Sequence, residues 1–320
     1  MRLKIGNYEE KLRFELSPSR KIYDNLDSVW MPHLMFLQKN NFRSKICNTD
    51  IHGLRFNSFK DIKQKTVFFN NNKKSSVLLG ASTVFGIGSS CDEKTISSLL
   101  SDKKNHFINM GARAYSMFQE IILFLSFINN TSKIKNLVIF SGLNDVFLNY
   151  NKNINNNFPG PIYYNNTFVK NMNNIKTQDL LKNYFSNKKN KYSITKVDLE
   201  EIIQRNFMIY NLIKKSFNIN VIFILQPYLT WCKNYSSEEK KIIEYTKNRS
   251  DKYMYDKMAS SRKRICNLYK KFANLNKIPF FDSNIYIKKN CSKEDFLFVD
   301  YVHLNDYGNN VIKKMIKSIL

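Results

Sequence analysis

The sequence predicts a doubly wound α/β sandwich, with a central parallel sheet of about five strands covered by helices on both faces. Three observations lead there. Short runs, VLLG at 77–80, HFINM at 106–110, NLVIF at 136–140, NVIFILQ at 220–226 and IPFF at 278–281, are apolar at consecutive positions. That pattern belongs to strands buried on both faces. Longer stretches with helical spacing separate the runs, and such alternation favours parallel strands joined by helical crossovers. The material for a core is present, since 43% of the 320 residues are hydrophobic, with 25 Phe and 18 Tyr among them.

In chain order, residues 1 to about 72 read as an irregular lead-in with aromatic anchors at Phe14, Tyr23, Trp30 and Phe36. It closes on the polar run NNNKK, after which residues 73–320 form the main domain. Helices are expected near 94–101 and 114–129, between the first three strands. The Asn- and Lys-rich stretch 150–197 has weak periodicity and reads as an insertion after the third strand. Helix 199–217 is the clearest, with Ile202, Ile203, Phe207, Tyr210 and Ile213 on one side,. A long helix over 238–276 and a last one over 306–319 complete the alternation. No internal repeat is visible.

Composition narrows the function classes. A formal net charge of +25 comes from 51 Lys and Arg against 26 Asp and Glu. These basic residues, mostly Lys, are scattered beside an excess of Asn and Ile, without a basic arm, so no nucleic-acid partner is expected. The 5 cysteines are widely spaced and contain no CxxC pair, which suggests neither a zinc site nor a disulfide framework. The first residues lack the apolar stretch of a signal peptide, and the longest apolar run, Ile121 to Ile128, is too short to span a bilayer,. A cytoplasmic protein without stable membrane insertion is the expectation.

In a parallel α/β sheet, ligands bind beyond the carboxyl ends of the strands. After the first strand comes Gly80-Ala81-Ser82-Thr83, then Phe85-Gly86-Ile87-Gly88. A Ser on a strand-to-helix turn exposes its hydroxyl and is a candidate nucleophile. Read alone, it is equally a helix cap, or the glycines are a phosphate loop. The GK[ST] ending of a Walker loop and the third glycine of a dinucleotide site are both missing. A nucleophilic Ser needs a base oriented by a carboxylate. Of the 4 histidines, His106 opens a buried strand with no acid nearby, and His33 follows Pro32 in the lead-in. His303 lies just before the last helix with Asp300 three residues ahead, so one turn can project both side chains to the same side.

Four short blocks in order, LLGASTVFG (78–86), NMGARAYS (109–116), FSGLNDV (140–146) and FVDYVHLNDYGN (298–309), resemble the SGNH (GDSL-like) hydrolase family. The resemblance covers roughly 75–320, with IPFFD and the QP after the fourth strand also typical, and HGLRFN (52–57) resembling a segment that precedes the first block. It implies a three-layer, flavodoxin-like sandwich. It also implies Ser82 as nucleophile, His303 as general base and Asp300 as the residue fixing the imidazole. The backbone N–H groups of Ser82 and Gly111 and the side-chain amide of Asn144 would form the oxyanion hole. One departure is Ala81, where the name-giving pattern has Asp.

The implied chemistry is ester hydrolysis through an acyl-enzyme on a small-molecule ester, with an O-acylated carbohydrate first. Acyl transfer to a sugar hydroxyl is the alternative, and no metal or nucleotide cofactor is called for. A non-catalytic module binding glycans or a partner through the same cleft is a further reading. The intact set Ser82, Gly111, Asn144, Asp300 and His303 weighs against it. The insertion at 150–197 is expected to flank the mouth of the site.

Overall fold

The computed structural model describes residues 14–31, 33–59, 62–64, 75–102, 105–127, 134–151, 162–163, 197–232, 235–247 and 252–320. Most of the expected insertion and the boundary at 72–73 lie outside these residues.

The N-terminal segment is not irregular. It holds helix α1 (Arg20–Asn25), an antiparallel hairpin of β1 (Ser28–Met31) and β2 (Met35–Gln38), and a second hairpin of β3 (Asn57–Phe59) and β4 (Ile62–Gln64). Short elements of mixed polarity carry little periodicity, which is why they escape a reading by pattern. Tyr23 and Phe36 are buried anchors as expected. Trp30 is not, being 47% exposed with an edge-on contact to Phe36. Leu34, Phe36, Leu37 and Leu54 join the main core, while Tyr23, Leu26 and Cys47 form a second cluster with Phe85 and Ile87.

The main sheet consists of β5 (Ser75–Gly80), β6 (His106–Gly111), β7 (Ile134–Ser141), β8 (Asn220–Leu225) and β9 (Phe280–Asp282). The spatial order is β6-β5-β7-β8-β9, with every pairing parallel. Counted from β5 this is the doubly wound order 2-1-3-4-5, the one expected for flavodoxin-like sheets. The inner stretches of β5, β7 and β8 are buried on both faces. Stretches apolar on both faces require such double cover, and right-handed crossovers supply it. The step from β5 to β6 runs one way and sends α3 (Ile96–Leu100) to one face. Steps onward to β7, β8 and β9 run the other way. They send α4 (Met117–Ser126), α6 (Leu199–Phe217) and α10 (Arg262–Leu275) to the opposite face, where α6 touches both α4 and α10. The last helix, α12 (Asp306–Ile319), packs on α3.

Two expected elements change shape. The helix expected over 238–276 is three helices, α8 (Ser237–Lys247), α9 (Lys252–Ser260) and α10. The second break has a local cause. Met258 O accepts from Ser261 N–H at 3.1 Å, from the Ser261 hydroxyl at 3.0 Å and from the Trp231 indole at 2.8 Å. Side-chain donors thus compete with the helical ladder there. The last strand starts two residues late because Pro279 has no N–H to give, although its carbonyl still accepts from Phe223 N–H at 3.0 Å,. Four further short helices are present: α2 (Ser82–Phe85), α5 (Leu143–Tyr150), α7 (Leu229–Cys232) and α11 (Ser283–Asn290). Among the described residues no helix is long and apolar enough to cross a membrane.

Candidate active site

The winding reverses at β5, whose neighbours β6 and β7 are reached in opposite directions. The crevice at the carboxyl ends of β5 and β7 is therefore the predicted binding position of this topology. Ser82 follows β5 directly and opens α2. As the first helical residue its amide has no carbonyl one turn behind it. Asn144 sits at the same level in the first turn of α5, which follows β7.

The turn after β5 is tight because the C-terminal loop comes down on it. Gly88 has φ +99°, and a Cβ there would sit 2.3 Å from Leu304 O. The G-x-G that reads weakly as a phosphate loop is thus the surface on which the His303 loop packs. That loop is a small hairpin. Phe298 bridges Leu304, and Val299 N–H donates to His303 O at 2.9 Å. Inside it Asp300 Oδ1 accepts from Val302 N–H at 2.9 Å and His303 N–H at 2.8 Å. This is the Asx-type turn that a short carboxylate favours.

The outcome is a continuous line of side chains. Ser82 Oγ lies 2.7 Å from His303 Nε2, and His303 Nδ1 lies 2.6 Å from Asp300 Oδ2. With Nδ1–H donated to the carboxylate, Nε2 is the nitrogen left to accept the serine proton. Burial by itself would raise the Asp300 pKa. The His303 ring, the Arg20 guanidinium and the backbone N–H of Val302 outweigh it and hold the carboxyl well below the usual carboxylate range. Gln226, buried at the end of β8, donates to Thr83 Oγ1 at 2.6 Å and reaches Val302 O at 3.5 Å. It ties the serine turn to the histidine loop.

The sequence did not point to Arg20. From the first position of α1 it donates to Asp300 Oδ2 at 2.6 Å and lies 3.4 Å from His303 Nδ1. A second arginine of the same segment, Arg55 within HGLRFN, is fully buried. It pairs with Asp92 at 2.8 Å and caps the end of α2 by donating to Phe85 O at 3.0 Å and Gly86 O at 2.9 Å.

The third strand end holds Asn144, whose Nδ2 donates to Tyr115 O at 2.7 Å. Only one of its two amide hydrogens can take that acceptor. Gly111 is placed differently from the expectation. Its N–H, expected among the oxyanion donors, is donated to Asn109 Oδ1 at 2.9 Å. Asn109 in turn donates to Val84 O and Ser97 Oγ, both at 2.9 Å. A Cβ at Gly111 would sit 2.0 Å from Phe85 N, so the glycine is required by the close approach of α2,.

Behind Asn144 lies a second pair of carboxyls. Asp145 accepts from Met117 N–H at 3.0 Å at the start of α4, and Glu120 accepts from the Ser141 hydroxyl at 2.7 Å. Burial pushes Asp145 up to about 6, against the N–H bonds it accepts. Burial also pushes Glu120 well above the usual range, and the neighbouring Asp145 adds to the rise. Among the described residues no group of three His, Cys, Asp or Glu could hold a metal ion.

The sequence matches no protein-family model and no curated protein. Several solved structures are similar to it. An acetyl xylan esterase, AlAXEase, is 14% identical over 77% of this chain and 99% of its own, with a TM-score of 0.44. A lipase/acylhydrolase from Enterococcus faecalis is 15% identical over 77% of this chain and 97% of its own, with a TM-score of 0.43. A member of the lipolytic protein G-D-S-L family from Veillonella parvula DSM 2008 is 12% identical over 77% and 97%, with a TM-score of 0.45. At these identities the likeness is one of fold alone.

Proposed function

We propose that this chain is a serine-dependent ester hydrolase of the SGNH type that works through an acyl-enzyme. One observation carries the reading: Ser82 Oγ, the His303 ring and Asp300 stand in hydrogen-bonded line, 2.7 and 2.6 Å apart, at the topological switch point. Nothing in packing requires a serine, an imidazole and a carboxylate to meet in that order, whereas acyl transfer does. Residues 73–320 carry this chemistry and the preceding segment supports it.

Ser82 Oγ adds to the acyl carbon while its proton passes to His303 Nε2. Asp300 holds the ring in the required tautomer and stabilises the imidazolium. The oxyanion of the tetrahedral intermediate is received by the Ser82 N–H and by the Asn144 amide hydrogen not given to Tyr115 O. Because Gly111 N–H is occupied by Asn109, it stands outside this set and supports it through α2. The imidazolium then protonates the departing alcohol. Water repeats the sequence on the acyl-enzyme, freeing the acid and regenerating Ser82. A sugar hydroxyl in place of water would make the same enzyme an O-acyltransferase. An O-acylated carbohydrate is the favoured substrate, in keeping with the family that the four sequence blocks resemble.

The test is direct. A fluorophosphonate probe should label the wild-type chain and leave Ser82→Ala unlabelled. Acetylated sugars and short aryl esters, offered with and without free sugars, then identify the acyl donor and acceptor. Neither labelling nor turnover across that panel would sink the reading and leave a binding module.

A further inference from the structure

We infer that Arg20 is a positioning residue for the Asp300–His303 pair, a cation from the N-terminal segment that keeps His303 neutral, and so able to act as base, at lower pH. The inference rests on the serine-hydrolase reading for its purpose, but not for its physics.

The geometry is specific. Arg20 is 8% exposed, and its Nη1 shares Asp300 Oδ2 with His303 Nδ1, at 2.6 Å from that oxygen in both cases. Asp300 Oδ1 is already taken by two backbone N–H groups, so the guanidinium and the imidazole N–H share the one remaining oxygen. Helix α1 does not drift into this position. Tyr23 OH donates to Ser89 O at 2.8 Å on the serine side, and Arg113 donates to Tyr23 O at 2.9 Å and Leu26 O at 2.6 Å from the loop after β6. Helix α1 is therefore fastened, by the Tyr23 side chain and by backbone carbonyls at its C-terminal end, to the two loops that flank the nucleophile.

The consequence follows from charge. A lone carboxylate beside an imidazole favours the imidazolium, which slows a base that must be neutral to start the reaction. A guanidinium 3.4 Å from Nδ1 opposes that second positive charge. Among the described residues, the groups in contact with the ring include Arg20 from α1, Asp300 from its own loop and Ser82 from α2. Asp24, also on α1, meets Arg20 Nε at 3.6 Å and moderates its field.

The experiment is a pH titration of the His303 ring by NMR, with His303 assigned by its loss in His303→Gln. It is run on Ser82→Ala and on the same chain carrying Arg20→Gln, Arg20→Met or Arg20→Lys. The pH profile of kcat/KM is measured in parallel with Ser82 intact. Both neutral replacements should raise the His303 midpoint by about one pH unit. Arg20→Lys, which keeps the charge, should return it to within a few tenths, whereas a residue that only filled space would leave all midpoints alike. Should the neutral variants fail to fold, Asp24→Asn supplies the test from a side chain one third exposed. It strengthens the Arg20 field and should lower the midpoint by a few tenths. An unchanged midpoint in the variants that fold overturns the inference. A shifted NMR midpoint with no Ser82-dependent turnover overturns the hydrolase reading instead.

Discussion

Two regions of this molecule hold partly or fully buried carboxyl groups within a few residues of the proposed reaction centre, and they treat them in opposite ways. Asp300 is met by two backbone N–H groups, an imidazole and a guanidinium, and is held ionised well below the usual range. Glu120 and Asp145 lie behind the Asn144 turn, and burial drives both upward, Asp145 to about 6. Glu120 has the Ser141 hydroxyl on one oxygen, and the other is buried with no hydrogen-bond partner among the described residues. The lesson is that burial alone does not decide the charge of a carboxyl. What decides it is whether donors and cations converge on it, since an uncompensated buried charge costs far more than a shared proton. One region stores a charge for use, and the other holds carboxyls whose burial favours the protonated form.

The largest expected effect comes from removing the stored charge. Asp300→Asn keeps the shape of the turn but cannot hold His303 in the right tautomer or stabilise the imidazolium. We expect kcat to fall by about 10⁴ on the best ester found, with the fold retained by circular dichroism. A loss of less than tenfold would mean that Asp300 only shapes the loop. The same charge also acts on stability. Because the folded-state pKa is depressed, its contribution is present above the unfolded value of about 3.9 and is lost as pH falls through the folded value.

Next comes Asn144, which stands between the two regions. Asn144→Ala removes one oxyanion donor and should lower kcat by roughly 10² to 10³ with little change in KM. Equal kcat in the variant would make Asn144 only a brace for Tyr115 O. A smaller effect is expected from pH alone in the wild type. With His303 as base, kcat/KM should rise with pH through one imidazole titration and then level. A flat profile between pH 5 and 8, with chemistry limiting the rate, would remove His303 from that role.

The two regions also differ in how far the sequence discloses them. Ser82, Asp300 and His303 sit at element ends, where local spacing and turn chemistry already restrict what they face. The five strands show for the same reason, since an apolar run of strand length has few places to go. Arg20 was invisible because its partner is 280 residues away and no periodicity links them. Gly111 stands among the donors only by the family resemblance, and the sequence does not show where its N–H points. That depends on the Asn109 side chain, which tertiary packing alone fixes. Glu120 looks in sequence like any polar residue of a helix, and only the packing of α4 under the Asn144 turn shows that it is buried.

The smallest expected effect is the sharpest test of the contrast. If Glu120 is protonated in the folded protein, Glu120→Gln replaces one neutral group by another of the same shape and still accepts from Ser141. Folding stability near pH 5 should then change by less than about 1 kcal/mol, as for substitutions that leave no buried charge unpaired. The sign of the pH dependence is fixed by the same reasoning. Above about pH 4.3 the unfolded chain gives up the Glu120 proton while the folded chain keeps it. The unfolded state therefore binds fewer protons, and stability falls as pH rises, by up to about 1.4 kcal/mol per pH unit for this group until its folded pKa is passed. Glu120→Gln removes that share. Chemical denaturation at pH 5 and pH 8 should find the variant gaining on the wild type toward pH 8, with Asp145 contributing in both a decline that levels off above about pH 6,. A variant that instead loses several kcal/mol at pH 8 would show that Glu120 is ionised and paired, and the two regions would be alike after all.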